Sequence, residues 1–233
     1  MEQSFAIFLP VRKGSERVLN KNTRPFANFK HGLLELKLNV LVSVGGVNEI
    51  IVSTNDEECA KIGHHYSKIS DKVRVAIRPD HLASSDTSLT DLIKYVPTIT
   101  DCRHIVWTHV TSPFLETRDY NNAIKFYLDA LINGFDSLMS VVLFKNFLWS
   151  KDKNDLVNRI NDEKWPRTQD LMDLYEIDSG LFIASKEILL TRGDRIGSKP
   201  YLLENDKVKS FDIDWELDFE IAEAIYERFF TKP

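Results

Sequence analysis

The chain has 233 residues, a formal net charge of −5 and 43% hydrophobic residues. This length fits one large domain, or one domain with an appendage, and the composition excludes a disordered chain. The mildly acidic charge argues against a general nucleic-acid binder, which needs a basic surface. Two cysteines, Cys59 and Cys102, are too few for a disulfide scaffold or a four-cysteine zinc site.

The chain shows neither a secretory signal pattern nor an apolar run long enough to span a membrane. We therefore expect a cytoplasmic protein without membrane or nucleic-acid partners.

Six short apolar segments predict β-strands. They cover residues 5–9, 50–54, 73–77, 104–108, 137–142 and 180–184. The first two are apolar at consecutive positions, which is typical of strands buried on both faces.

Segments with helical periodicity separate most of these strands, at residues 33–42, 120–131 and 217–230. Alternating strands and helices predict an α/β fold with a mostly parallel sheet and helices on both faces. Ligands of such sheets bind beyond the carboxyl ends of the strands. Residues 144–173 break the rhythm with many charged side chains. We interpret them as an inserted arm within a single domain spanning residues 1–233.

The loop after the first strand, residues 10–22, is the most informative segment. It carries four cations and one glycine: Arg12, Lys13, Gly14, Arg17 and Lys21. Cations and exposed amides at the carboxyl end of a strand suit a polyphosphate. No Gly-Lys-Ser/Thr closes a Walker A loop, and a single glycine does not make a dinucleotide fingerprint. A solvated basic loop remains the alternative.

Two carboxylates lie two residues apart near the end of the chain, at Asp212 and Asp214. On a strand end this spacing places both on one side, where a carboxylate pair with water and phosphate oxygens suits Mg²⁺. The alternative is that Asp214 caps a helix beginning near Trp215.

Two further loops follow predicted strands. Thr111 and Ser112 precede Pro113 in a turn at the expected ligand edge, and a plain turn is the alternative. After the third strand, Arg78 could contact a base or a phosphate. In the same loop, a helix cap is the alternative role for Asp86, Thr87 or Ser88.

Taken in order, these segments resemble the acylneuraminate cytidylyltransferase family, which contains the CMP-sialic acid synthetases and related bacterial enzymes. The family's Arg-x-x-Ser and Lys-Asn positions are matched by Arg12, Ser15, Lys21 and Asn22. The other similar segments are residues 51–55, 78–87, 110–115, 166–169 and 212–218. Each motif is weak alone, but six in one order cover nearly the whole chain.

The resemblance implies a Rossmann-like nucleotidyltransferase sheet in which residues 144–173 form a dimerisation arm. It also implies transfer of CMP from CTP to a nine-carbon sugar acid, with release of pyrophosphate and with Mg²⁺ as cofactor, for which Mn²⁺ could substitute. The expected partners are CTP, the sugar acid and a second copy of the chain.

By the same resemblance, Arg12 and Lys21 would bind phosphates, and Asp212 and Asp214 would hold the metal ion. These four are the expected catalytic residues. The expected nucleotide-binding residues are Val11, Arg12, Ser15, Lys21, Asn22, Arg78, Ala83 and Ser85.

The resemblance further implies a set of side chains around the sugar acid. These are His109, Thr111, Ser112, Arg167, Gln169 and Ser179, with Arg167 neutralising the carboxylate or nearby phosphate oxygens.

The chain departs from the family pattern at several of these positions. Glu16 replaces a usual lysine, a loss that Arg17 could offset, and Leu115 replaces an arginine. His109 and Ser179 replace a usual glutamine and asparagine in the expected sugar pocket. These departures leave open which sugar acid is used. An eight-carbon acceptor and a nucleotide-binding relative without turnover are the alternatives.

Overall fold

The first strand shows why its apolar residues are consecutive. In β1 (Phe5–Pro10), Ile7 and Leu9 join the hydrophobic cluster on one face of the sheet, while Ala6 and Phe8 join the cluster on the other. Because successive side chains of a strand point to opposite faces, a strand covered on both sides must be apolar throughout.

The computed structural model describes residues 3–84 and 87–231. Within these ranges the remaining strands are β2 (Glu49–Thr54), β3 (Val73–Ile77), β4 (His104–Thr108), β5 (Ser137–Phe144), β6 (Trp149–Ser150), β7 (Asp155–Leu156), β8 (Leu174–Ser185) and β9 (Pro200–Glu204). The helices are α1 (Gly32–Leu41), α2 (Glu57–Tyr66), α3 (Leu89–Tyr95), α4 (Thr117–Ile132), α5 (Lys186–Arg192) and α6 (Glu216–Phe229).

Seven strands form one sheet in the order β3-β2-β1-β4-β8-β5-β9. Strand β8 pairs antiparallel with β4 and β5, while the other pairings are parallel. The prediction of a mostly parallel sheet flanked by helices is therefore confirmed. Because β8 runs against its neighbours, its beginning lies at the edge where they end.

The apolar segments of the sequence did not predict β9, which pairs with β5 at the end of the sheet. Helix α6 packs largely as predicted, since Phe219 and Ala222 are buried. The helical periodicity of residues 217–230 also predicts that Phe229 packs on the sheet, but the structure leaves its side chain 67% exposed. Phe230 packs instead, with its ring 5.1 Å from that of Phe114.

The predicted arm contains a short hairpin of β6 and β7 joined by a tight turn. Three aromatic side chains of the arm are exposed: Phe147, Trp149 and Trp165. The division of the chain into one domain with an interface arm stays a prediction.

The loop after β3 contains the helix cap that was the alternative for Asp86, Thr87 or Ser88. Ser88 caps α3 by accepting a hydrogen bond from the Asp91 N–H at 3.1 Å.

Cys59 is fully buried, and burial raises the pKa of its thiol to about 12, which leaves it protonated and inert. None of the helices in the described part of the chain is long and apolar enough to cross a membrane.

Candidate active site

Two cavities meet at the edge of the sheet where the parallel strands end. The loop cavity, of about 330 Å³, lies between the loop after β1 and the loop after β4. The sheet-edge cavity, of about 660 Å³, lies between the end of β5, the beginning of β8 and residues 207–214. Predicted site residues line both cavities. Lys21 lines the loop cavity, and its ammonium contacts the segment of Asp212 and Asp214, which line the sheet-edge cavity.

The loop cavity brings together seven of the predicted residues. They are Val11, Arg12, Ser15, Lys21, Asn22, His109 and Thr111. Glu16 and Arg17 line the same cavity, so it holds three cations of the loop and one carboxylate.

Backbone and side-chain bonds fix the shape of this loop. The Val11 N–H donates to Ser53 O at 2.9 Å, and the Asn22 amide donates to Arg12 O at 3.1 Å. Gly14 turns the chain at a φ of +80°, a conformation that glycine adopts without strain. Asn22 therefore acts on the loop itself, by closing it onto the backbone of Arg12.

Lys21 is directed across the loop cavity to the segment that carries the paired carboxylates. Its Nζ donates to Ile213 O at 2.7 Å and lies 4.0 Å from Asp214 Oδ1. Burial lowers the pKa of Lys21, and the carboxylates of Asp214 and Asp212 partly oppose this decrease. The ammonium is thus held between the two cavities.

The paired carboxylates are anchored through the residue between them. Ile213 is buried, and its N–H donates to Thr111 O at 2.9 Å. Asp212 Oδ1 is buried without a hydrogen-bond partner in the described chain. Burial raises the pKa of Asp212, and the Asp214 carboxylate adds to the increase. An unpartnered buried carboxylate oxygen is a ligand available to a cation.

Within residues 3–84 and 87–231, no group of three or more His, Cys, Asp or Glu side chains could hold a metal ion. Mg²⁺ does not need such a cage, because it commonly uses one or two carboxylates together with water and substrate phosphates. Asp212 and Asp214 therefore fit Mg²⁺ bound with a nucleotide, and they do not fit a structural metal ion.

The alternative role of Asp214 as a helix cap is not what the structure shows. Asp218 Oδ2 accepts hydrogen bonds from the Asp214 N–H at 3.1 Å and the Trp215 N–H at 2.7 Å. The Asp214 carboxylate instead accepts from Arg17 at 2.9 Å, and the Arg17 guanidinium also lies 5.2 Å from the Trp215 ring. Asp218 thus supports the start of α6 and leaves Asp214 facing the cavities.

His109 has no free ring nitrogen for a substrate, contrary to its expected role. Its Nε2 accepts from Trp107 Nε1 at 3.0 Å, so Nδ1 carries the proton and donates to Ser179 O at 2.8 Å. Burial lowers the pKa of His109 to about 4. Ser179 has a φ of +58°, which a non-glycine residue rarely adopts. His109 therefore holds Ser179 in place at the wall of the sheet-edge cavity.

The remaining residues of the expected sugar pocket lie in different places and do not form one pocket. Thr111 lines the loop cavity, and Ser179 lines the sheet-edge cavity. Ser112 is buried, and its Oγ has no partner within the described residues. Ser112 thus lies behind the cavity wall rather than on it.

Arg78 is not presented to either cavity, although a contact with the base or a phosphate was expected. It is buried against β2, where its Nε donates to Ser53 Oγ at 3.2 Å and its NH2 to Ser53 O at 2.8 Å. Burial lowers the pKa of Arg78 to about 10. Ala83 is also buried, and Ser85 lies outside the described residues.

Arg167 and Gln169 lie on the exposed arm and line neither cavity. The Arg167 side chain is 73% exposed and pairs with Asp170 at 2.7 Å. The cations that line the sheet-edge cavity are Lys145 and Lys207, which sequence reasoning missed. Neither belongs to a recognisable motif, so only the fold could show their position.

Comparison with known proteins agrees with this geometry. A family model described as cytidylyltransferase matches residues 6–231. The chain is 24% identical to an N-acylneuraminate cytidylyltransferase of Escherichia coli, over 98% of this chain and 53% of that protein. It is 24% identical to a pseudaminic acid cytidylyltransferase of Campylobacter jejuni, over 94% of each. The chain thus spans about half the length of the first of these relatives and nearly all of the second.

Solved structures show the same fold. A CMP:2-keto-3-deoxy-manno-octonic acid synthetase in complex with CTP superposes with a TM-score of 0.68 at 13% identity, covering 97% of this chain and 99% of that one. A 4-diphosphocytidyl-2C-methyl-D-erythritol synthase of Anaerococcus prevotii gives 0.67 at 13% identity, covering 98% and 100%. With the family model covering nearly the whole chain, this protein belongs to the cytidylyltransferase family.

Proposed function

We propose that this protein transfers CMP from CTP to the anomeric hydroxyl of a nonulosonic, sialic-acid-like sugar acid and releases pyrophosphate. The observation that carries the proposal is the junction of the two cavities, where Lys21 lies against the segment of Asp212 and Asp214. One side of this junction is lined by cations that suit a triphosphate, and the other is large enough for a polar acceptor.

In this proposal the triphosphate lies in the loop cavity, among Arg12, Arg17 and Lys21. The acceptor hydroxyl gives its proton to solvent as its oxygen attacks the α-phosphorus. The bond between the α-phosphorus and the oxygen that bridges to the β-phosphate breaks, and negative charge grows on the leaving pyrophosphate. Catalysis of such a reaction is mostly positioning and cationic stabilisation. Lys21 is suited to this role because its contact with Ile213 O holds the ammonium in place before the substrate binds.

Asp212 and Asp214 would hold Mg²⁺, for which Mn²⁺ could substitute. When bound, the ion would neutralise phosphate charge and orient the triphosphate. Arg17 pairs with Asp214 and contributes a cation in the loop where Glu16 removes one. Thr111 keeps the two carboxylates in register through its bond to Ile213.

The acceptor would occupy the sheet-edge cavity. Lys207 would neutralise its carboxylate there, together with Lys145, whose ammonium also pairs with Asp173. The resemblance assigned this role to Arg167. The similar proteins include N-acylneuraminate and pseudaminic acid cytidylyltransferases, and both support a nonulosonic acceptor. The eight-carbon sugar acid of a structural neighbour is the second candidate, since that protein shares the fold.

The direct test is pyrophosphate release with each nucleoside triphosphate against a panel of sugar acids. We expect turnover with CTP and a nonulosonic acid, and little with ATP or GTP, because the family model that matches the chain is that of cytidylyltransferases. Equal turnover with purine nucleotides would contradict the proposal. CTP binding by calorimetry without turnover on any acid would favour a non-catalytic relative.

We also propose that the protein is a homodimer through the arm, residues 144–173. Phe147 and Trp165 form an exposed aromatic pair with ring centroids 5.7 Å apart, and Trp149 is exposed beside them. Exposed aromatic clusters of this kind commonly mark interfaces. Light scattering at micromolar concentration should give twice the chain mass, and Trp165→Asp should shift it towards a monomer. A monomeric native protein would contradict the proposal.

A further inference from the structure

A fully buried lysine lies beneath the junction of the two cavities, and the proposed chemistry does not use it. Lys37 is on α1 and has an exposed fraction of 0%. Its Nζ donates to Ser112 O at 2.7 Å and to Tyr120 Oη at 2.9 Å. Both partners are uncharged, so the amine carries its desolvation cost without a direct counterion.

Nearby acidic groups do not remove this cost. Asp119 is the carboxylate that most favours the charged form of Lys37, but both of its oxygens are engaged. Its Oδ1 pairs with Lys209, and its Oδ2 accepts from the Glu116 N–H at 2.9 Å. Burial lowers the pKa of Lys37 to about 7. A lysine kept in this setting calls for a reason other than stability.

The hydrogen bonds that leave Lys37 form a chain with a defined direction. Thr108 Oγ1 donates to Gly180 O at 2.8 Å, so its only proton is used. The Tyr120 hydroxyl, 2.8 Å away, must therefore donate to Thr108 while it accepts from Lys37. This branch links α1, α4, β4 and β8 and ends beside Ser179.

The second branch reaches the paired carboxylates. Lys37 fixes the carbonyl of Ser112, and the neighbouring Thr111 carbonyl accepts the Ile213 N–H at 2.9 Å. Ile213 O in turn accepts from Lys21. One amine thus supports both the wall that carries Ser179 and the wall that carries Asp212 and Asp214.

We infer that Lys37 is a positioning residue. From below the junction of the cavities, it sets the distance between the wall that carries Ser179 and the wall that carries Asp212 and Asp214. Its loss should leave the groups that act on the transition state present but displaced. Small displacements of this kind cost rate more than affinity. The inference rests on the proposed cytidylyl transfer only for its kinetic readout.

The test compares Lys37→Met with Lys30→Met, which makes the same change at an exposed position just before α1. We expect Lys37→Met to lower kcat about 100-fold, with the Kd for CTP changed by less than about threefold. Hydrogen–deuterium exchange should become faster at residues 178–181 and 211–215, because the supports of both walls are lost. Lys30→Met should match the wild type in all three measurements.

The pH dependence of stability gives an independent readout. The unfolded chain keeps the Lys37 proton up to its ordinary pKa of 10.5, whereas the folded chain loses it at about 7. Between these values the unfolded state binds more protons, so Lys37 makes the free energy of unfolding increase with pH. Of the groups facing Lys37, Asp119 is ion-paired, Tyr120 has a raised pKa and His109 has a pKa of about 4. The increase from pH 7 to 9 should therefore be smaller in Lys37→Met than in Lys30→Met.

Unchanged exchange at both segments in Lys37→Met would overturn the inference, whatever the turnover. An equal loss of CTP affinity and kcat would also overturn it. If Lys37→Met does not fold, Tyr120→Phe decides, since it removes only the branch to Gly180. Exchange should then become faster at residues 178–181 and stay unchanged at residues 211–215, and no change at either would contradict the inference. If the wild type turns over no sugar acid, the proposed function is wrong. Hydrogen–deuterium exchange still tests the positioning role of Lys37, because that measurement does not depend on turnover.

Discussion

Replacing Lys21 with alanine is expected to lower kcat by a factor of about 100–1,000, or about 3–4 kcal/mol of transition-state stabilisation. The Lys21 ammonium is held by Ile213 O at 2.7 Å and lies between the loop cavity and the carboxylates of Asp212 and Asp214. In the proposed reaction Lys21 acts on charge that grows during the transfer, so kcat should fall by more than KM for CTP rises. Steady-state kinetics over a CTP titration measures both.

Two further variants separate charge from structure. Lys21→Gln keeps a donor for the Ile213 carbonyl but removes the charge, so it should be about as inactive as Lys21→Ala. Lys13→Ala removes a cation from the same loop, but Lys13 does not line the loop cavity, and it should remain active. If Lys21→Ala keeps near-full turnover, or loses it only in step with its melting temperature, Lys21 is not a catalytic residue.

Asp212→Asn is expected to lose turnover by a factor of about 100 or more at low Mg²⁺, and to recover part of it as Mg²⁺ or Mn²⁺ is raised. The variant should be at least as stable as the wild type, because an amide is cheaper to bury than a carboxylate whose Oδ1 has no hydrogen-bond partner. Loss of activity with unchanged or increased stability is the opposite of what a structural residue would show. The measurements are kcat over a metal titration and denaturant unfolding.

Asp218→Ala is the matched control, because Asp218 supports the start of the same helix. It accepts from the Asp214 and Trp215 N–H groups, so its loss should cost about 0.5–2 kcal/mol of stability. Its metal requirement should stay close to that of the wild type. A metal-independent defect in Asp212→Asn would show that Asp212 does not act through a cation.

The order of the motifs was sufficient to predict the family, and local patterns predicted much of the site. Strand β1 is apolar at every position because both faces are covered, and the loop that follows it does line a cavity with Arg12 and Lys21. The spacing of Asp212 and Asp214 was compatible with a carboxylate pair but left a helix cap as the alternative, and the resemblance favoured the pair. Such features depend on residues close in sequence, so local physics suffices.

Side-chain direction could not be predicted in the same way. The sequence places Arg78 directly after a strand, where a solvent-facing guanidinium is plausible, but the side chain is buried and two of its N–H groups donate to Ser53 on the neighbouring strand. His109 follows β4 at the expected position, yet Trp107 and Ser179 occupy both ring nitrogens. In each case the deciding partner is remote in sequence or on a different element.

The alternation of strands and helices and the cationic loop could be predicted from the amino-acid order, because each follows from periodicity or from residues that are close in the chain. The antiparallel direction of β8 could be seen only in the folded chain, where it brings Ser179 to the edge at which the parallel strands end. It also placed Lys145 and Lys207 beside the carboxylates and left Arg167 on the exposed arm. The physical reason is that burial and hydrogen-bond partners are properties of packed surfaces, which depend on how distant segments meet.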